Sequence, residues 1–121
     1  MMRLAATEAE TLRAIMDYLA VERIFAFRIN TAAMRTEGRF FRAHSLGAGC
    51  PDILALPEDQ SCDDFGNTRN SCLPTWIEVK ALGRKQSPEQ ISFQVDVERR
   101  GHKYVLAYSL DDVIRALGAF R

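Results

Sequence analysis

Three residues have the types and spacing of a divalent-cation site. Asp52 follows a breaker cluster at residues 47–51 and opens a short apolar segment, and Glu78 and Lys80 alternate along a second one. Residues two apart in a strand lie on the same face, so Glu78 and Lys80 share one. Carboxylates are the usual protein ligands of Mg²⁺, and the backbone carbonyl of Val79 offers another oxygen. If the two strands are neighbours, the pattern predicts a Mg²⁺ site, with Mn²⁺ as a substitute.

A hard cation next to a lysine suits the hydrolysis of phosphodiester bonds. The metal polarises a phosphoryl oxygen and lowers the pKa of a bound water. The ammonium group of Lys80 can orient the attacking water and stabilise the charge of the transition state. Each motif also has a purely structural explanation, because Asp after Pro is common in turns and Glu-x-Lys is common on solvated strands. The prediction therefore depends on Asp52, Glu78 and Lys80 occurring together.

Two helical residues are further candidates for this site. Glu8 lies in line with Leu12 and Ile15 on the apolar side of a helix that Thr7 is expected to cap, which makes it a possible supporting acid or further metal ligand. Gln90 is the third residue of a helix capped by Ser87. A capping box explains a glutamine there without any substrate, so both interpretations of Gln90 stay open.

Basic residues are grouped on either side of an acidic segment at residues 58–64. Guanidinium groups match phosphate oxygens, so these residues are candidates for contacts with a nucleic-acid backbone, although they could equally form a solvated face. The histidine among them is a possible phosphate contact or general base, or simply a surface residue. The candidates are Arg35, Arg39, Arg42, His44, Arg84 and Lys85.

Periodicity and punctuation predict an α/β fold. The predicted elements are a helix after Thr7, a hairpin of strands 24–29 and 39–43, strands 52–56 and 76–82, a helix from Ser87 to Arg100, a strand 103–108 and a last helix capped by Ser109 with Asp112. The later strand, helix, strand unit implies a parallel pair with a right-handed crossover. We therefore expect a mixed central sheet flanked by helices, with three or four strands between the first two helices; with three, the order is α-β-β-β-α-β-α.

Composition limits the class of protein. The chain has 121 residues, 47% of them hydrophobic, which suits one domain over residues 1–121 with a loop insertion at 57–75. Sixteen basic and sixteen acidic residues give no net charge, whereas non-specific DNA-binding proteins usually have a basic excess. No membrane span or export signal is evident, so we expect a cytoplasmic protein with free thiols at Cys50, Cys62 and Cys72.

The ordered set of motifs resembles the VRR-NUC family, a branch of the PD-(D/E)xK nuclease superfamily. The matching features are a helical Glu8, the motifs at residues 49–52, 77–80 and 87–90, and Gly101 before a strand, over about Thr7 to Leu117. The resemblance implies a restriction-endonuclease-like core, with Asp52 and Glu78 as metal ligands and Lys80 as the catalytic lysine. The resemblance also implies that Glu8 is the acid of the first helix and that Gln90 is the helical glutamine of the family.

The same resemblance implies a biological role. Small family members look like phage or bacterial endonucleases that act on branched DNA in repair, similar to Holliday-junction resolvases, and commonly work as homodimers. The segment at residues 58–74 is longer than the usual connection between the Asp strand and the Glu-x-Lys strand.

Two other functions stay open. A non-catalytic DNA-binding or scaffold module with the same fold would explain the absent basic excess. A nuclease subunit of a restriction or mobile-element system, directed by a partner, would explain why the chain has no separate recognition domain.

Overall fold

A computed structural model of the chain describes residues 6–29, 49–58 and 73–117. Within these ranges the helices and strands follow the predicted order α-β-β-β-α-β-α. The elements are α1 (Glu8–Val21), β1 (Phe25–Arg28), β2 (Ile53–Leu56), β3 (Thr75–Val79), α2 (Pro88–Arg99), β4 (Lys103–Ala107) and α3 (Leu110–Leu117). The predicted strand at residues 39–43 and most of the predicted loop insertion lie outside the described residues.

The four strands form one mixed sheet in the order β1-β2-β3-β4. Strand β2 pairs antiparallel with β1 and with β3, whereas β3 and β4 are parallel and are joined through α2. The predictions of an α/β fold, a mixed central sheet and flanking helices are thereby confirmed. None of the helices in the described ranges is long and apolar enough to cross a bilayer.

Alternation along β3 separates the core from the site. Ile77 and Val79 belong to a buried apolar cluster with Ile15 of α1 and Val113 of α3, so these helices pack against one face of the sheet. Trp76 instead contacts Phe93 of α2, with ring centroids 5.1 Å apart. Since side chains alternate between faces, Glu78 points to the same face as Trp76.

Side-chain caps fix where two of the helices begin. The Thr7 hydroxyl accepts a hydrogen bond from the backbone N–H of Glu10, and the Glu10 carboxylate accepts one from the backbone N–H of Thr7. Ser87 and Gln90 form the same reciprocal pair at the start of α2. Both predicted N-caps are confirmed, and each satisfies two backbone donors that a helix start otherwise leaves unpaired.

The last helix is capped differently from the prediction. A capping box with Ser109 would have its third residue, Asp112, accept from the backbone N–H of Ser109. Instead the Asp112 carboxylate accepts from the backbone N–H of Tyr108, at 2.8 Å, while the N–H of Asp112 donates to the carbonyl of Ser109 at 3.2 Å. The carboxylate thus reaches one residue further back than expected.

Two of the strand boundaries that differ from the prediction lie near the candidate site. Strand β2 begins at Ile53, although Asp52 still forms backbone hydrogen bonds to Ile77 of β3 and to Ile29, the residue after β1. Strand β3 ends at Val79 and not at Leu82, because the carbonyl of Ala81 accepts from the N–H of Arg84 and closes a turn. Asp52 and Lys80 therefore lie just beyond the ends of regular strands.

Candidate metal and catalytic site

Asp52 and Glu78 come from adjacent strands, as the predicted metal site requires. Ile53 pairs with Ile77 in the antiparallel register of β2 and β3, which places the residues flanking them side by side. The Asp52 carboxylate crosses to β3 and accepts a hydrogen bond from the backbone N–H of Val79 at 2.8 Å. This bond aims Asp52 at the strand that carries Glu78.

Glu78 is buried with one of its two oxygens unpaired. The residue is 4% exposed. Its Oε2 accepts from the amide of Gln90 at 3.0 Å and lies 4.0 Å from the Lys80 ammonium nitrogen. Its Oε1 is, within the described part of the chain, the only buried side-chain nitrogen or oxygen without a hydrogen-bond partner. An unpaired buried carboxylate oxygen is costly in folding free energy and suits a cation ligand.

Burial and mutual repulsion disfavour the charged forms of both carboxyl groups. Burial, and then the Asp52 carboxylate, raise the pKa of Glu78 to about 8, while Lys80 opposes this shift and Glu8 adds to it. Burial is also the main reason that the pKa of Asp52 is raised, against the hydrogen bond from Val79. A bound divalent cation would reverse this balance, since it favours two nearby negative charges.

Gln90 has both of the roles that the sequence left open. Its side-chain carbonyl accepts from the backbone N–H of Ser87 at 2.8 Å, which completes the capping box of α2. Its side-chain NH₂ group donates to Glu78. The two bonds together fix the orientation of the amide, because only one end of it can accept and only the other can donate.

Glu8 approaches the site from the start of α1. Its Oε2 accepts from the backbone N–H of Ala81 at 3.2 Å, next to Lys80, and its charge contributes to the raised pKa of both Asp52 and Glu78. Over the described ranges, no three or more His, Cys, Asp and Glu side chains form a group that could hold a metal ion. Glu8 thus lies next to Lys80 and near the carboxylate pair.

Gly49 lies in the turn before Asp52 and packs closely against the start of α2. Its φ angle is +84°, and a Cβ atom at this position would lie 2.3 Å from the carbonyl oxygen of Glu89 and 2.7 Å from the backbone nitrogen of Gln90. Such distances are far inside van der Waals contact, so a side chain cannot fit without movement of the backbone. From the sequence, this residue was identified only as part of a breaker cluster and of the motif at residues 49–52.

The structure adds residues near the site that were not assigned to it from the sequence. The charge of Arg28, the last residue of β1, partly opposes the rise that burial causes in the pKa of Asp52. Tyr104 of β4 accepts a hydrogen bond from the Gln86 side chain at 3.1 Å, and burial is the main cause that raises its pKa to about 12. Their proximity depends on strand pairing between distant segments, for which no local sequence signal exists.

Cys50 is a buried free cysteine, as predicted. Burial, followed by the charges of Glu78 and Asp52, raises the pKa of its thiol to about 11. Since the thiolate is the reactive form, this cysteine is poorly suited to be a nucleophile. The predictions for Cys62 and Cys72 lie outside the described residues.

Only two of the predicted nucleic-acid contacts lie in the described ranges. Arg84 and Lys85 are exposed in the segment that follows Lys80. The nearby Trp76 packs against Phe93 and donates a hydrogen bond to the ring nitrogen Nδ1 of His102. The remaining candidates, Arg35, Arg39, Arg42 and His44, lie outside the described residues.

Comparison with known proteins adds no relative, since no family model, curated protein or solved structure matches the chain.

Proposed function

We propose that this chain is a Mg²⁺-dependent nuclease with a restriction-endonuclease-like core of the VRR-NUC type, which hydrolyses phosphodiester bonds in DNA. One observation carries the proposal: Glu78 is buried with an unpaired oxygen, beside Asp52 and within 4.0 Å of the Lys80 ammonium nitrogen. A lysine and two acids in this arrangement are poorly explained as a core ion pair, because the acids outnumber the base.

The donor set fits Mg²⁺. Asp52 and Glu78 would hold the ion, and the backbone carbonyl of Val79 is the further oxygen donor that the sequence suggests, while substrate and water fill the remaining positions. The chemistry that a bound Mg²⁺ supplies is polarisation of a phosphoryl oxygen and a lower pKa for a coordinated water. The raised pKa of Glu78 implies that loading the site releases protons from the protein.

The remaining residues position this pair and the lysine. Gln90 fixes the orientation of Glu78, as partners of metal-binding carboxylates commonly do. The backbone of Lys80 is held on both sides, because its own N–H donates to the carbonyl of Ala107 and the next N–H donates to Glu8. The Lys80 ammonium is thereby directed at the space next to Glu78, where it can orient a water and stabilise charge on a phosphate. We assign Glu8 to this positioning role.

Substrate and assembly are further parts of the proposal. Branched or otherwise structured DNA and a homodimeric enzyme both follow from the VRR-NUC resemblance. Sedimentation of the purified chain over a range of concentrations tests the second.

A cleavage assay tests the activity. Labelled four-way, flap, linear duplex and single-stranded DNA are incubated with the protein in Mg²⁺, Mn²⁺ or EDTA. We expect cleavage only with a metal, and a loss of at least about 100-fold for Glu78→Gln and for Lys80→Ala. Asp17→Asn, an exposed change on α1, is the control that keeps activity. The proposal fails if no substrate is cut, or if the two site variants cut as well as the wild type.

Calorimetric titration with Mg²⁺ separates the nuclease from a non-catalytic scaffold of the same fold. The wild type should bind the ion with release of protons, and Asp52→Asn should lose that binding while Asp17→Asn retains it. A chain that binds DNA but shows no Mg²⁺ site would favour the scaffold.

A further inference from the structure

The turn after Lys80 presents an exposed leucine next to two cations. Leu82 is 72% exposed, and the side chains of Arg84 and Lys85 are exposed just beyond it. Single apolar residues on a surface are common, so exposure alone carries little meaning. The position of Leu82, two residues from Lys80, is what makes it informative.

Hydrogen bonds hold this turn in a fixed shape. The N–H of Ala81 donates to Glu8, and the N–H of Arg84 donates to the carbonyl of Ala81 at 3.0 Å. The carbonyl of Arg84 in turn accepts from the hydroxyl of Tyr108 at 3.0 Å. Gly83 between them has a φ angle of +90° and open space around it. One bond within the turn, one to α1 and one from the segment after β4 therefore fix the backbone on which Leu82 is presented.

An apolar tip flanked by cations matches the chemistry of a disrupted nucleic-acid stack. Cations bind backbone phosphates, and apolar side chains can enter between base pairs where stacking is broken. Opening a continuous duplex costs stacking free energy, whereas at a branch point part of that cost is already met. The same surface would therefore prefer branched DNA to continuous duplex.

We propose that Leu82 is a wedge that enters the base stack at a branch point, while Arg84 and Lys85 contact the adjoining phosphates. This inference rests on the proposed nuclease function and deepens it, because it names a source of preference for branched DNA in this chain. It assigns different roles to neighbouring residues: Leu82 provides the preference, and the two cations provide affinity for any DNA.

Binding measurements test these separate roles of Leu82 and the two cations. Affinities for a four-way junction and for a linear duplex of the same arm sequence are measured at several salt concentrations, with Ca²⁺ replacing Mg²⁺. We expect Leu82→Ala to weaken junction binding about tenfold, in line with burial of one leucine side chain, and duplex binding by less than about twofold. The double variant Arg84→Ala, Lys85→Ala should weaken both and reduce the salt dependence by about two charges.

Val21→Ala is the matched control. Val21 is also a strongly exposed apolar residue, at 76%, but it ends the helix that Glu8 begins. The rise of an α-helix places it about 20 Å from Glu8, the residue of α1 that bonds to the turn, so its removal should leave both affinities unchanged.

Fluorescence of 2-aminopurine placed at the branch reports unstacking directly. The wild type and Val21→Ala should raise the emission, and Leu82→Ala should not. The wedge is wrong if Leu82→Ala weakens junction and duplex binding equally, if the wild type does not raise the 2-aminopurine emission, or if Leu82→Ala raises it as much as the wild type. In each of these cases cleavage by the wild type would still support the nuclease. If the wild type neither binds nor cuts any DNA, both the wedge and the proposed function are wrong.

Discussion

Replacing Gly49 by alanine should disturb the contact between the turn before Asp52 and the start of α2, which carries Gln90. Gly49 lies three residues before Asp52, and its backbone contacts the first turn of α2, which carries Gln90. A methyl group at this position would overlap the carbonyl group of Glu89. The turn or the helix must therefore move, and the 3.0 Å hydrogen bond between Gln90 and Glu78 should lengthen or break.

The expected magnitude follows from two contributions. An alanine at a φ angle of +84° carries about 1–2 kcal/mol of backbone strain. The overlap with a backbone carbonyl, at 2.3 Å, adds about 1–3 kcal/mol, typical of an overpacked interior. Gly49→Ala should thus lower the free energy of unfolding by about 2–5 kcal/mol.

Gly101→Ala should show the backbone strain alone, so a comparison with it isolates the overlap at Gly49. Gly101 has nearly the same φ angle, +86°, but a Cβ there meets no atom within 4 Å. Its replacement should cost only about 1–2 kcal/mol of strain. The difference between the two variants measures the contact between Gly49 and α2.

Urea unfolding followed by circular dichroism gives the stabilities, and calorimetry gives the Mg²⁺ affinity of the folded variants. Only Gly49→Ala should weaken Mg²⁺ binding, and Gly101→Ala should bind as the wild type does. If the two variants are equally stable and bind Mg²⁺ equally well, the close approach of Gly49 to α2 does not position the site.

Two further predictions concern the buried acid and its partner. In EDTA the wild type should lose a few kcal/mol of stability as pH rises from about 5 to about 8, because the native state, with a Glu78 pKa of about 8, keeps a proton that the unfolded chain releases near its ordinary value. Glu78→Gln should lack this slope in urea unfolding, and a wild-type stability that is flat or rises over this range would contradict the shift. Gln90→Ala and Ser87→Ala should each cost about 1 kcal/mol of stability for the lost cap. Only Gln90→Ala should also weaken Mg²⁺ binding, by about 10-fold or more, and equal Mg²⁺ affinities for the two variants would refute the positioning role.

Local rules predicted the elements well. The caps at Thr7 and at Ser87 depend on residues three apart, and the alternation of Glu78 with its apolar neighbours depends on residues two apart. These are short-range interactions, and they indicate helices and strands without knowledge of the rest of the fold. The misplaced end of β3 shows their limit, because apolar residues continue to Leu82 although the backbone has already turned.

The contacts between distant segments that build the site could not be predicted from the sequence. The candidate acids were identified individually, but that Asp52 bonds to the N–H of Val79 depends on the register between β2 and β3. The contact of Gly49 with α2 and the proximity of Arg28 to Asp52 likewise join segments far apart in the chain. Such contacts follow from packing of the whole sheet and leave no periodic or capping signal.

The packing of Trp76 gives the molecule an internal optical reporter. It is the single tryptophan of the chain, lies two residues from Glu78, and is held between Phe93 of α2 and the ring of His102. Because indole emission depends on its surroundings, a shift in wavelength would record whether α2 lies against the sheet. The docking of the helix that orients Glu78 can therefore be followed in unlabelled protein without a substrate.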